Sequence, residues 1–165
     1  MVSLEVHTIG SIPIDLDDSR NASKLLRSMV EDSSSSTGGA NGKLHRAEPL
    51  PPAGSSGPPY ALVQFTLPAA GLATSPHEGN AKITRGCVCH IGGTSDFFIS
   101  LARNHEHEGW EASMTIVGTV PEPMLTELVE QAIMALPKYD FVHPEFGTVM
   151  SMLDPELPVR LRARA

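Results

Sequence analysis

Apolar and polar residues alternate in the first part of the chain, over residues 2–6 and again over residues 12–16. An alternation with a period of two is typical of a strand with one buried face. Gly10 lies between the two runs, and a glycine at this place favours a turn. The start of the chain therefore predicts a pair of strands in a hairpin-like arrangement.

The apolar period changes to that of a helix in two places, over residues 19–31 and residues 122–136. The apolar positions of these segments are Ala22, Leu25, Leu26, Met29 and Val30, and then Leu125, Leu128, Val129, Ala132, Ile133 and Leu136. Asp18 or Ser19 is a suitable N-cap for the first helix. Pro123 fits the first turn of the second helix, and Pro137 ends it.

The other apolar runs are short and are separated by loops rich in glycine, proline and serine. They predict strands at 44–46, 61–67, 84–91, 97–102 and 113–120, and a last strand around either 149–153 or 159–161. The long loops fall at about 32–42, 49–60 and 69–82, and segments 32–42 and 50–59 are expected at the surface because few apolar residues anchor them. Many short strands with only two helices predict a mainly β protein, a closed antiparallel barrel of about eight strands whose ends carry the helices.

Length and charge narrow the class of protein. The 165 residues fit a single domain, 1–165, and the net charge of −7 disfavours nucleic acid as the main partner. No apolar run reaches the roughly 18 residues of a membrane span, and no apolar signal segment opens the chain. We therefore expect a cytoplasmic protein, monomeric, with no membrane segment.

Several local sequences, in order along the chain, resemble the cyclophilin family of peptidyl-prolyl isomerases. The similarity runs from about residue 9 to residue 155 and is close to the divergent plant and algal members. The matching strings are Leu44-His45-Arg46, Ala61-Leu62-Val63-Gln64, Thr84-Arg85-Gly86-Cys87-Val88, Gly93-Thr94-Ser95-Asp96-Phe97-Phe98-Ile99 and Thr115-Ile116-Val117-Gly118-Thr119-Val120. The resemblance implies an eight-stranded cyclophilin-like barrel capped by two α-helices.

The chain departs from the family at three pocket positions. The pocket histidine of the family falls at Met114, and its tryptophan falls near Glu106, with Trp110 close by but out of register. The family's asparagine is replaced near Gly92. These departures concern the lining of the pocket.

Isomerisation of an X-Pro bond breaks amide resonance, at a cost of roughly 18–20 kcal/mol, and needs only preferential binding of the twisted amide. The prolyl nitrogen regains a lone pair in that state, and a guanidinium aimed at it is stabilising. The resemblance assigns this catalytic role to Arg46. It implies a substrate-binding pocket with Phe98 as its wall, Leu62 and Met114 beside it, and Gln64 bonded to the substrate carbonyl.

Two other groups of residues contain possible metal ligands, but neither provides enough ligands for a metal site. His105 and His107 lie in the polar loop 104–109, where no distant ligand completes a tetrahedral site, so we expect a solvated loop and no metal. Cys87 and Cys89 point to the same face of a strand, with His90 on the other, and are expected to be buried free thiols. No phosphate-binding glycine loop or nucleotide fingerprint is present, so no cofactor is expected.

Three functions are compatible with these observations. The first is an enzyme that isomerises X-Pro bonds of protein substrates and so assists folding. The second is a module that binds proline-containing peptides with little or no catalysis, which the replaced pocket residues favour. The third is an interaction domain that uses its long loops.

Overall fold

Eight antiparallel strands close into a barrel in the order β1-β2-β7-β5-β6-β4-β3-β9, and β9 pairs again with β1. This computed structural model describes residues 1–31, 40–55, 58–68, 71–79 and 81–164. The strands are β1 Val2–Val6, β2 Gly10–Leu16, β3 Ala40–Glu48, β4 Leu62–Thr66, β5 Cys87–Ile91, β6 Asp96–Ser100, β7 Met114–Thr119, β8 Lys138–Val142 and β9 Val149–Ala163. β8 lies outside the barrel and pairs with β9. The predicted mainly β fold with a closed eight-stranded barrel is confirmed.

The inner face of the barrel forms the main hydrophobic core. The alternation at the start of the chain places Leu4 and Ile12 in this core, where both are 0% exposed. Phe65 and Phe97 lie on neighbouring strands of the same interior and stack with their ring centroids 5.5 Å apart. Aliphatic residues supply most of the remaining contacts, as the small number of aromatic residues requires.

The first helix, α1, spans Asn21–Glu31 and buries Ala22, Leu26 and Val30. The expected N-cap at Asp18 or Ser19 is wrong, because the helix begins after both residues. The carboxylate of Glu78 accepts the free N–H groups instead, from Asn21 at 2.9 Å and from Ala22 at 3.1 Å. A residue distant in sequence therefore caps this helix.

The second helix, α2, begins as the α-helical turn Glu122–Met124 and continues as the π-helix Leu125–Ile133. Pro123 lies in its first turn, as predicted. Leu125, Val129 and Ile133, four residues apart, are its buried positions. The helix ends three residues before the predicted end at 136.

Several β features differ from the prediction, and β5 begins at Cys87, three residues later than expected. β8 was not expected, and β3 begins at Ala40, so residues 40–42 of the expected loop are strand. The two alternative sites for the last strand both lie in one strand, β9.

The predicted surface position of segment 50–59 agrees with the structure at Pro52, Ala53, Gly54, Ser55 and Pro58, which are exposed, while Leu50 is partly buried. Residues 32–39 and 56–57 lie outside the described residues. Among the helices that the structure describes, none has the length and hydrophobicity needed to cross a membrane.

Candidate functional site

Arg46, Gln64 and Phe98 lie in one row across three neighbouring strands. Arg46 on β3 is opposite Gln64 on β4, and Gln64 is opposite Phe98 on β6. Residues directly opposite each other in a sheet share a face, so the three side chains occupy the outer surface of the barrel. The structure thus brings together three residues that are far apart in sequence.

A β-bulge places Arg46 on this outer face. The pairing register of β3 shifts between Leu44 and Arg46. Leu44 is 0% exposed in the core and Ala47 is buried beyond the bulge, whereas Arg46 points away from the core. The extra residue, His45, makes this change of face possible.

The guanidinium of Arg46 contacts three side chains. Its Nε donates to Oε2 of Glu48, and its Nη1 donates to Oε1 of Gln64 at 3.0 Å. Its carbon atom Cζ lies 5.9 Å from the ring centroid of Tyr60. Burial raises the pKa of the Glu48 carboxyl, and the charge of Arg46 and its hydrogen bond oppose that rise. The pair fixes the guanidinium beside an aromatic ring.

A chain of polar contacts continues from Gln64 along the outer face. The Nε2 of Gln64 donates to Oδ2 of Asp96 at 3.1 Å, and the hydroxyl of Thr66 donates to Oδ1 of the same carboxylate. His45 Nε2 lies 3.0 Å from the Thr66 hydroxyl. Burial by itself would raise the pKa of Asp96, but hydrogen bonds from His45, Thr66 and Gln64 lower it overall.

Phe98 lies under a cluster of aromatic side chains. It is 1% exposed and meets Trp110 edge-on, with the ring centroids 5.6 Å apart. Tyr60 and Trp110 are 5.8 Å apart and cover this part of the outer face. Leu62, 2% exposed, belongs to the same cluster. Phe98, predicted to be a wall of the pocket, is instead its buried floor, and Tyr60 and Trp110 lie above it.

Met114 lies at the edge of the cluster. It is partly buried, is opposite Ile91 on β5, and packs against the buried cluster that contains Phe98. The five predicted site residues thus lie on one outer face, three in a row and two in the adjoining apolar cluster.

The loop 104–109 contributes His107 to the aromatic cluster on the outer face. His107 is 1% exposed and stacks on Trp110 at 4.3 Å. Its Nδ1 lies 3.0 Å from the hydroxyl of Ser100, and its Nε2 lies 2.6 Å from the carbonyl oxygen of Tyr60. The expectation of a solvated loop is wrong for His107, because both ring nitrogens are bonded inside the protein. No group of three potential ligands occurs among the described residues.

Cys87 and Cys89 are buried free thiols, as predicted. Both belong to the apolar cluster, and Cys89 is opposite Phe98. Burial raises the pKa of the Cys89 thiol, which keeps it protonated and unreactive.

Apolar residues also flank Arg46 on the side away from Gln64. β9 places Met152 opposite Arg46, and β8 places Tyr139 opposite Met152. Phe141 shares this face, since residues two apart in a strand point the same way. Tyr139 is 50% exposed and Phe141 is 40% exposed. The row through Arg46 thus has aromatic surfaces at both ends.

Four residues of this region were not predicted as site residues: Glu48, Tyr60, Asp96 and His107. Glu48 could have been predicted from the sequence, because side chains two residues apart on one strand point to the same face and Glu48 is two residues from Arg46. Trp110 was noted only as out of register with the family's tryptophan.

Comparisons with protein-family models and with curated proteins find no match to the chain. The closed eight-stranded barrel with two helices is compatible with the cyclophilin fold.

Proposed function

We propose that the protein is a peptidyl-prolyl isomerase that acts on X-Pro bonds of protein substrates at the outer face around Arg46. The observation that supports this most directly is the row of Arg46, Gln64 and Phe98, which holds a guanidinium beside an aromatic surface. A proline ring binds well to aromatic side chains, and a twisted amide needs a fixed hydrogen-bond donor at its nitrogen. Both requirements meet at the Arg46 end of this row, where the guanidinium lies beside the ring of Tyr60.

The proline ring would lie on Tyr60 and Trp110, with Phe98 beneath them as the floor. Arg46 is 12% exposed at its side chain and lies over the edge of this surface, next to Tyr60. Its charge and planar fork are suited to the freed lone pair of the prolyl nitrogen. Gln64 is 6% exposed, and its amide nitrogen carries a second hydrogen besides the one given to Asp96, which would bond a substrate carbonyl.

This orientation also gives the direction of the peptide. The residue before proline is bonded to the prolyl nitrogen, so it would leave the site on the side of Arg46 away from the aromatic floor. Met152 and Tyr139 lie on that side. An apolar residue before the proline would bury surface against them.

One observation favours the second candidate, a module that binds proline peptides with little catalysis. Glu48 is 1% exposed and bonded to Arg46, so part of the positive charge is already compensated in the free protein. A compensated guanidinium stabilises a developing lone pair less than a free one.

The experiment is an isomerisation assay on a short X-Pro peptide, by coupled proteolysis or by NMR exchange, together with the dissociation constant of the same peptide. Arg46→Ala is expected to lower the rate ~100-fold, a loss of about 3 kcal/mol, and to leave binding nearly unchanged. Arg46→Lys is expected to fail as well, because a flexible point charge lacks the fork. Arg27→Ala is the matched control, since Arg27 is a partly exposed residue of α1 that forms a surface ion pair with Asp18.

Equal acceleration by the wild type and both Arg46 variants would exclude Arg46 as the catalytic group. A wild type that binds the peptide but does not accelerate isomerisation would establish the binding module instead. A protein that neither binds nor accelerates would overturn both candidates.

A further inference from the structure

Gln64 carries an amide whose two ends differ in chemistry, and its neighbours determine which end points where. Arg46, on one side, has only donors, so it requires the amide oxygen. Asp96, on the other side, is an acceptor when ionised, so it requires the amide nitrogen. The observed contacts, Oε1 to Arg46 and Nε2 to Asp96, satisfy both neighbours.

We infer that Asp96 is a positioning residue for Arg46 and acts through the amide of Gln64. Asp96 prevents the amide from turning over, and the amide oxygen in turn holds Nη1 of the guanidinium. The inference rests on the proposed function, because it assumes that the orientation of Arg46 matters for isomerisation. It names a residue whose own side chain need not touch the substrate.

The surroundings of Asp96 support this role. Its side chain is 30% exposed, and the hydroxyl of Thr66 and the ring of His45 hold its other oxygen, Oδ1. The carboxylate is therefore fixed from two sides while Oδ2 faces Gln64. The pKa of Asp96 is lowered by these same hydrogen bonds, which outweigh the effect of burial. The acceptor thus persists through the neutral pH range.

Glu48 provides the second point of attachment of the guanidinium, at Nε. Loss of the Gln64 contact therefore leaves the guanidinium with one hydrogen-bond partner, Glu48, beside the ring of Tyr60, so its orientation is less restricted. We expect a reduced turnover with a nearly unchanged affinity for the peptide, since rotation affects the alignment needed in the twisted state more than the ground-state complex.

The test is a double-mutant cycle with Asp96→Ala, Gln64→Leu and the double variant. Asp96→Ala is expected to lower kcat about tenfold, in line with the loss of one hydrogen bond to a charged group. In the Gln64→Leu background the same change is expected to have no further effect. Asp96→Asn is expected to restore kcat to within about twofold, because the asparagine oxygen can still accept from Gln64.

A second measurement does not depend on any substrate. The NMR signal of the Arg46 Nε–H reports how firmly the guanidinium is held, through its rate of exchange with water. Exchange is expected to be faster in Asp96→Ala and in Gln64→Leu to the same extent, and no faster in the double variant. Asp15→Ala is the control, because Asp15 is an exposed aspartate on β2.

The outcomes separate the two proposals. If the wild type does not isomerise peptides, the proposed function fails, and the NMR cycle still decides whether Asp96 positions Arg46. If Asp96→Ala leaves the Arg46 signal unchanged, or if its effect adds to that of Gln64→Leu, the positioning role is wrong. If Asp96→Asn loses as much activity as Asp96→Ala, the charge of Asp96 acts directly and the inference is overturned.

Discussion

Glu48 and Arg46 form an ion pair on the outer face of the barrel, with 1% of the Glu48 side chain and 12% of the Arg46 side chain exposed. A charge pair removed from water is sensitive to the loss of either partner, because the remaining charge has no compensation. Arg46 also lies beside the ring of Tyr60, so the same guanidinium contacts the Glu48 carboxylate and the aromatic surface. If the proposed function holds, this ion pair sets how much charge the guanidinium offers to a peptide.

Glu48→Gln removes the compensating charge and keeps an acceptor of similar size. We expect a severalfold increase in the rate of X-Pro isomerisation, because Arg46 then presents its full charge to the twisted amide. The assay is the one used for the Arg46 variants. Glu127→Gln, at an exposed glutamate of α2, is the control. A rate that falls to that of Arg46→Ala would mean that Glu48 is needed to hold the guanidinium in place.

Acid is expected to weaken the aromatic cluster through His107. Burial lowers the pKa of His107 below its ordinary 6.5, although the Tyr60 carbonyl and nearby glutamates oppose this. The unfolded chain then binds the proton first, so the stabilising effect is complete above pH 6.5 and is lost as the pH falls through the folded pKa. The slope cannot exceed about 1.4 kcal/mol per pH unit for one group.

Urea unfolding at pH 7.5 and at pH 5.0, followed by tryptophan fluorescence, measures this effect. Trp110 is the single tryptophan of the sequence and stacks on His107, so its emission reports the cluster directly. In His107→Gln the pH dependence is expected to decrease, and in His105→Gln, at an exposed histidine, it is expected to remain. An identical pH dependence in wild type and His107→Gln would refute the assignment.

Phe98→Ala is expected to lower the free energy of unfolding by about 3–5 kcal/mol, in addition to weakening peptide binding and turnover together. The reason is that Phe98 is 1% exposed under Trp110, so its removal leaves a cavity as well as a weaker site. Denaturant unfolding measures the loss. A comparison with Phe98→Leu, which fills more of the cavity, separates packing from recognition. A stability close to that of wild type in Phe98→Ala would contradict the buried position.

Glu78→Gln is expected to destabilise the protein by about 0.5–2 kcal/mol, because the carboxylate caps the free N–H groups of α1. Glu31→Gln is the matched control at the other end of the same helix, where a negative charge is unfavourable. It is expected to be neutral or slightly stabilising. Equal losses in the two variants would show that the cap contributes nothing specific.

The sequence predicts the barrel because apolar alternation marks most of the strands that close it. β1 and β2 follow directly from residues 2–6 and 12–16. β8 could not be predicted in this way, since Tyr139, Phe141 and Val142 are all exposed and leave no buried face to detect. The first residues of β3 were missed because Asn41 and Gly42 are typical of a loop, and their pairing with β9 makes them strand.

The candidate site was predictable as a set of residues but not as a geometry. The family resemblance selects Arg46, Gln64 and Phe98, and the strand register aligns them. The outward position of Arg46 depends on the bulge at His45, which local sequence does not reveal. The contact of Gln64 with Asp96 depends on the pairing of β4 with β6. Trp110 covers Phe98 because of the path that a loop takes. The spacing of apolar residues does not predict the path of a loop.

β9 protects two edges of the sheet at the same time. It pairs with β1 through residues 159–163 and with β3 through residues 152 and 157–161, so its detachment would leave both neighbours with open rows of backbone N–H and C=O groups. Open edges of this kind recruit strands from other molecules. A substitution that loosens β9 is therefore expected to cause aggregation before it causes complete unfolding, so that the solubility of the protein depends on one strand.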